Sequence, residues 1–200
     1  MKLYWCPNTR ATRALWMLEE TGLDYDLELI DIRNPEAPRD PDFSRASPMG
    51  KVPALSDGDV HMADSAAIGI YLADRYPESG LAPALDVAAR GPYLWWMLFT
   101  PAVVEPCMAE KVAQATPNPV SHGWGDFDSM LATLEQGLAG GPWILGDRFS
   151  AADVMVGSTA YFLKVFGMLP EMPVVEAYVQ RCLDRPAYQR ALAINDEAAG

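Results

Sequence analysis

Beyond the dipeptide Tyr76-Pro77 the chain carries only helical periodicity, so any β-sheet must come from the first seventy-six residues. Those residues hold enough strands. Lys2 to Cys6 is short, β-prone and runs into Pro7-Asn8, which reads as a strand leading into a turn. From Arg13 to Thr21, Ala14, Leu15, Met17 and Leu18 recur at helical spacing, and Gly22 stops the helix. Thr9 or Thr12 caps its start. Tyr25 to Ile32 alternates polar and apolar residues, as a half-buried strand does. Strand, helix and strand in so short a span make a parallel, right-handed βαβ unit. Asn34 to Pro48, rich in proline, reads as a mobile loop with at most one helical turn near Asp42-Phe43. Val52 to Leu55 is a third strand, and Asp57-Gly58-Asp59 turns the chain into an antiparallel fourth, Val60 to Met62. A helix capped by Ser65 and ending near Tyr76 completes a small mixed sheet with helices on it.

Pro77 to Asp86 has the composition of a linker. The helical remainder is punctuated by Pro101 and Pro106, which kink or segment an aromatic helix from Tyr93 to Val104. Phe127 to Leu138, Val154 to Phe166, Pro173 to Leu183 and Pro186 to Ile194 supply further helices. Ser150-Ala-Ala-Asp153 has capping-box spacing with Asp in place of Glu. The expected class is α+β, with an α+β domain over 1–76, a linker over 77–86 and an all-helical domain over 87–200.

A formal net charge of −12 argues against nucleic acid and against anionic membrane surfaces as partners. No apolar run approaches the roughly 18 residues a spanning helix needs, and the N-terminus lacks the apolar core of a signal peptide. Three widely spaced cysteines are no disulfide framework, so a reducing cytoplasm is the expected compartment. His61 and His122 lie far apart with no ligand spacing to other donors, so no metal site is expected. Phosphate loops and the G-x-S-x-G pattern are absent from the sequence.

The chemistry concentrates in two stretches. In Ser47-Pro-Met-Gly-Lys-Val-Pro-Ala-Leu55, Pro53 removes a backbone donor where a strand begins, so Pro53 belongs at an edge, a bulge or a cis turn. A cis Val52-Pro53 bond turns the Val52 backbone outward to pair with an extended peptide; the isomer is not legible in the sequence. Asp64-Ser65-Ala-Ala-Ile starts a helix, whose free N–H groups favour an anion. Together they suit a small, acidic, peptide-like ligand. Near the first helix, Thr9 either caps it or donates to an anion at its dipole. Cys6 lies where thioredoxin-type folds place a nucleophilic thiolate, with Thr9 where a second cysteine would stand; the alternative is a small buried residue. Trp95, Trp96 and Phe99 form a stripe that is either core or the wall of an apolar pocket. Cys107 and Cys182 read as inert core thiols.

These stretches resemble the cytosolic glutathione transferase superfamily over nearly the full length. Tyr4 to Arg13 followed by Leu15 to Glu20, Ser47 to Leu55, Asp64 to Leu72, and Ser150 to Asp153 are similar to four of its motifs, in order. The resemblance implies a thioredoxin-like N-terminal domain, a helical-bundle C-terminal domain, a homodimer, and glutathione as co-substrate. Val52, beside Pro53, then pairs its backbone with the cysteinyl part of glutathione. Asp64 and Ser65 hold the γ-glutamyl end, and Lys51, assisted by Arg39, lies near the glycyl carboxylate. Thr9 falls where serine-type members keep the hydroxyl that stabilises the thiolate, and Cys6 where cysteine-type members keep their nucleophile. Trp96, Phe99 and Thr100 are expected to wall the co-substrate pocket. The implied activity is conjugation of glutathione to small apolar electrophiles, a detoxification chemistry. Two alternatives stay open: a glutathione-dependent thioltransferase using Cys6, and a non-catalytic binding module.

Overall fold

A computed structural model describes residues 1–34 and 36–200. Pro35, inside the loop expected from Asn34 to Pro48, lies outside the described residues. The chain divides into two compact units, one made of Met1–Leu81 with Asp184–Gly200 and one of Ala82–Leu183. The sequence groups 87–200 together, whereas the packing gives the last seventeen residues to the sheet-containing unit.

In that unit the strands are β1 (Lys2–Trp5), β2 (Asp26–Leu29), β3 (Ala54–Asp57) and β4 (Val60–Ala63), in the spatial order β2-β1-β3-β4. β1 is parallel to β2 and antiparallel to β3, and β3 is antiparallel to β4. Helix α1 (Ala11–Thr21) joins the parallel pair, short α2 (Pro41–Ala46) precedes β3, and α3 (Ser65–Arg75) follows β4. Alternation along β1 sends Leu3 and Trp5 to one face and Lys2 and Tyr4 to the other. Tyr4 joins Phe43 and Ala46 of α2, with Ile30 and Ala54, in one buried cluster, its ring 5.4 Å from that of Phe43. Leu3 and Leu55, opposite each other in the ladder, are fully buried.

The second strand departs from its expected form. It spans only Asp26–Leu29, and its apolar Leu27 and Leu29 are 37% and 57% exposed. As the sheet's edge β2 has a neighbour on one side only, and Glu28 spends its carboxylate on an ion pair with Lys2, at 3.0 Å. Helix α1 ends as its sequence says: Gly22 takes φ 67° and donates its N–H to the Leu18 carbonyl.

The final helix, α9 (Pro186–Ala199), lies on α1. The ring of Tyr188 meets Trp16 edge-on at 4.9 Å. Arg185 grips both carboxylate oxygens of Glu20, at 2.6 and 2.7 Å, and Arg190 takes Glu19 at 2.6 Å. Bidentate arginine pairs of this kind add geometric definition as well as energy.

The second unit is helical throughout: α4 (Arg90–Phe99), α5 (Glu105–Ala113), α6 (Phe127–Leu138), α7 (Ala151–Val165) and α8 (Pro173–Leu183). Between α4 and α5 the backbone passes through a π-helical turn, Thr100–Val104. Pro101 has no N–H to give, and widening the turn lets the Glu105 N–H reach the Thr100 carbonyl instead. The helix is segmented here without a break. At the start of α7 the expected capping box forms, and Asp153 is entirely buried with four donors on its carboxylate: the N–H groups of Ile144 and Ser150, at 2.8 Å each, and the hydroxyls of Ser150 and Tyr178. Burial pushes the Asp153 carboxyl above its ordinary range, against these four bonds.

Candidate active site

Strand register brings three candidate segments to one end of the sheet. Tyr4 of β1 stands opposite Ala54 of β3, and Ala54 stands opposite Ala63 of β4. Cys6 to Thr9 follows Tyr4, Val52-Pro53 precedes Ala54, and Asp64-Ser65 follows Ala63. All three therefore leave the same sheet end on neighbouring strands, which lie about 4.8 Å apart.

The turn after β1 is tightly bonded. The Thr9 hydroxyl donates to the Cys6 carbonyl at 2.7 Å and accepts from the Ala11 N–H at 3.1 Å. The Thr9 carbonyl accepts from Thr12 N–H at 3.2 Å. Neither capping candidate is the N-cap of α1: that position is Arg10, with no side-chain cap bond, while Thr9 closes the turn just before it and the Thr12 hydroxyl is used on Asn195. A hydroxyl has one proton, and Thr9 has given its own to a backbone carbonyl. Asn8 adopts φ 58°, a left-handed conformation that Asn tolerates better than most residues. Cys6 is a free, partly exposed cysteine.

Ser47 staples the second segment. Its buried hydroxyl donates to the Lys51 carbonyl at 2.7 Å and accepts from the Lys51 N–H at 2.8 Å. At Gly50, with φ 65°, an added Cβ would lie 2.7 Å from Nη1 of Arg39. The guanidinium therefore rests on this glycine, beside Lys51, and also covers the Phe43 ring at 5.3 Å. Arg39 Nε is buried without a hydrogen-bond partner among the described residues. The Val52-Pro53 bond is cis, and Val52 lies outside the ladder, which begins at Ala54.

At the third segment the structure corrects the expected cap. Asp64, not Ser65, is the N-cap of α3: its Oδ1 accepts from Ala66 N–H at 2.8 Å and from Ala67 N–H at 3.2 Å. Because β4 runs to Ala63, the chain must turn at Asp64, which takes φ 79° and ψ 129°. That is a costly conformation for a residue with a Cβ, held by the strand before it and the helix after it. Ser65 becomes the first helical residue and is buried. Both capping bonds use Oδ1, so Oδ2 of Asp64 takes part in neither.

Trp96, Phe99 and Thr100 sit in the core of the helical unit, 7%, 3% and 0% exposed, the first of the two alternatives their spacing allows. The Trp96 ring occupies the space a Cβ at Gly137 would need, and the Thr100 hydroxyl donates to the Met155 carbonyl at 3.2 Å. Trp95 and Leu98 are the large apolar residues of this helix that are exposed. Cys107 and Cys182 are buried; burial, with Glu110 and Asp126 nearby, raises the Cys107 thiol to about 11. Among the described residues no three His, Cys, Asp or Glu side chains gather as a metal site, and no helix is long and apolar enough to cross a membrane.

Sequence reasoning missed four contributors: Asn8 as the left-handed residue of the first turn, Ser47 as the staple, Asp64 as the cap, and Asn195, which reaches that turn from α9. Asn8 carried a signal, since Asn in a turn is suited to left-handed backbone. Asn195 carried none.

Two family models match the chain: the glutathione S-transferase N-terminal domain over residues 5–75 and its C-terminal domain over 109–181. Glutathione S-transferase 3 of Zea mays is 29% identical, with 96% of this chain and 93% of that protein covered. The disulfide-bond oxidoreductase YfcG of Escherichia coli is 26% identical, with 95% and 93% covered. A sphingomonad glutathione S-transferase solved in complex with glutathione superposes with a TM-score of 0.81 at 30% identity, covering 98% of this chain and 99% of that one.

Proposed function

The chain belongs to the glutathione S-transferase family, and on that footing we propose that it binds glutathione at the sheet end just described and conjugates its thiol to small apolar electrophiles. The observation that carries this reading is the register, which lines up Cys6–Thr9, Val52-Pro53 and Asp64-Ser65 on neighbouring strands. Val52, outside the ladder, offers its backbone to the cysteinyl peptide unit. Asp64 Oδ2 and Ser65 take the γ-glutamyl ammonium and carboxylate. Lys51 and Arg39 take the glycyl carboxylate, Arg39 with a buried Nε still to be paired. Trp96, Phe99 and Thr100 shape the aromatic helix from within; the apolar character of the co-substrate rests on that helix as a whole. A homodimer, a cytoplasmic setting and a role in detoxification belong to the same proposal.

Thr9 activates the bound thiol only by turning its hydroxyl from the Cys6 carbonyl to the sulfur. A hydrogen bond to a charged group is worth roughly 1.5–3 kcal/mol, enough to lower a thiol pKa by about one to two units. The test is conjugation of glutathione to a chromogenic halonitroarene across pH, with Thr9→Val beside the native chain. The pH required should rise in the variant. An unchanged profile removes Thr9 from the chemistry.

A second reading is favoured by one observation: the Thr9 proton is already committed, while Cys6 is free and partly exposed. In that reading Cys6 thiolate attacks a glutathione mixed disulfide, takes the glutathionyl group and releases the partner thiol. A second glutathione thiolate then attacks the Cys6 disulfide and leaves as oxidised glutathione, restoring Cys6. Cys6→Ser abolishes disulfide reduction while sparing glutathione binding; reduction undiminished in the variant refutes this reading.

A further inference from the structure

We infer that Asn195, on the last helix, is a positioning residue for the Cys6–Thr9 turn and thereby for the thiol chemistry performed there; the inference rests on the glutathione reading above. The two ends of the contact are 187 residues apart in sequence. Asn195 is buried, 4% exposed, and its carboxamide is fully used. Its Oδ1 accepts the Asn8 backbone N–H at 2.8 Å and the Thr12 hydroxyl at 3.3 Å. Its Nδ2 donates to Asn8 Oδ1 at 3.1 Å and to Asp196 Oδ1 at 3.3 Å. The orientation is unambiguous, because a backbone N–H can only donate and so must meet the oxygen.

What Asn195 holds is the one residue of the turn that local forces disfavour. Asn8 sits at φ 58°, between Cys6, whose thiol is one candidate nucleophile, and Thr9, whose hydroxyl is the other candidate group. The bonds inside the turn, Thr9 to Cys6 carbonyl and Ala11 to Thr9, fasten Thr9 to its neighbours and leave Asn8 to be fastened from outside. The Asn8–Asn195 pair does so twice, once through the backbone and once through the side chain. Both candidate groups therefore inherit their placement from α9. A shift of about an ångström in a reacting group can cost as much as a hundredfold in rate, so this anchor is felt in catalysis as well as in stability.

The experiment compares the native chain with Asn195→Ala, Asn195→Asp and Asn8→Gly, by glutathione calorimetry, by conjugation and disulfide-reduction kinetics across pH, and by thermal unfolding. Asn195→Ala should lower kcat for whichever reaction the native chain performs by about tenfold or more, and shift its pH profile, with a smaller change in the KM for glutathione. Asn195→Asp should recover only part of that loss, because the oxygen that replaces Nδ2 meets the Asp196 carboxylate as a like charge. Its carboxylate still accepts from Asn8 N–H and Thr12, and the Asn8 amide can rotate its NH2 toward the new oxygen. Asn8→Gly keeps the left-handed backbone at no steric cost but deletes the side-chain bond, so it should fold and lose activity to an intermediate degree. A folded Asn195→Ala chain with a lowered Tm but native kcat and pH profile overturns the inference, leaving Asn195 structural only. If Asn195→Ala does not fold, native kinetics in Asn8→Gly overturn it equally. A native chain that fails to bind glutathione overturns the underlying reading and the inference with it.

Discussion

Replacing Asp64 separates what the scaffold needs from what the ligand needs, because one carboxylate serves both. Oδ1 caps α3 through two amides, and Oδ2 is the atom proposed to meet the glutathione ammonium. Loss of a cap costs about 0.5–2 kcal/mol. Against it stands the backbone strain at φ 79°, on the order of 1–3 kcal/mol, which glycine relieves and alanine does not. Asp64→Ala should therefore lose about 1 kcal/mol of stability, whereas Asp64→Gly should come out close to neutral or slightly stabilised. For binding the two are alike, since each removes a charge-assisted hydrogen bond worth roughly 1.5–3 kcal/mol, or about 10- to 150-fold in Kd. Chemical denaturation and glutathione calorimetry on the same samples read the two quantities independently. A glycine variant as unstable as the alanine variant would show that the strain is not stored at Asp64. A glycine variant that binds glutathione normally would remove Asp64 from the ligand site.

The other expectations concern the scaffold and its thiols. Asp153→Ala strands four buried donors, two of them backbone N–H groups, and should cost the helical unit about 3–6 kcal/mol, seen as a lowered urea midpoint; a loss under about 1 kcal/mol would refute the accounting. Gly50→Ala puts a Cβ at φ 65° and against Arg39, so it should weaken glutathione binding while leaving the β-sheet spectrum intact; unchanged affinity would detach Arg39 from the ligand. The Cys107 thiol is raised in the fold from 9.0 to about 11, so its contribution is whole below about pH 9 and is lost as pH rises through 11. Cys107→Val should flatten the fall of stability with pH in that window, as measured by alkaline unfolding. Alkylation followed by mass spectrometry should label Cys6 first, with Cys107 and Cys182 reacting only on unfolding; labelling of Cys107 in the native protein would contradict its burial.

Most of the architecture is legible locally because proline and glycine punctuate it. Helices α6 and α8 begin and end where the sequence says, since Phe127–Leu138 and Pro173–Leu183 are bounded by breakers. The errors arise where a distant contact decides between local options. Tyr25 to Ile32 has the alternation of a half-buried strand, but alternation does not say whether the strand has two neighbours or one, and β2 is an edge. Asp64 and Ser65 are both competent caps, and the choice falls to whichever residue follows the last ladder pair, Ala54 with Ala63. Trp96 and Phe99 have the same helical spacing whether they face a pocket or a core; their burial and the seat of Trp96 against Gly137 of another helix are decided by residues far away in the chain. Asn195 is the extreme case, an ordinary residue on an amphipathic helix until its partner is known.

The placement of α9 with the sheet also reorders the history of the molecule. The helical unit is continuous, from Ala82 to Leu183, and a ribosome completes it in one pass. The sheet unit begins first, yet α1 gains the Tyr188 ring against Trp16 and the arginines that pair with Glu20 and Glu19 only once Asp184–Gly200 has emerged. The helical unit is therefore synthesised whole while the turn after β1 still lacks its contacts with α9, the reverse of the N-terminal-first order usual for tandem domains. A nascent or truncated chain short of α9 therefore carries Cys6 and Thr9 without the Asn195 bonds that hold Asn8 between them.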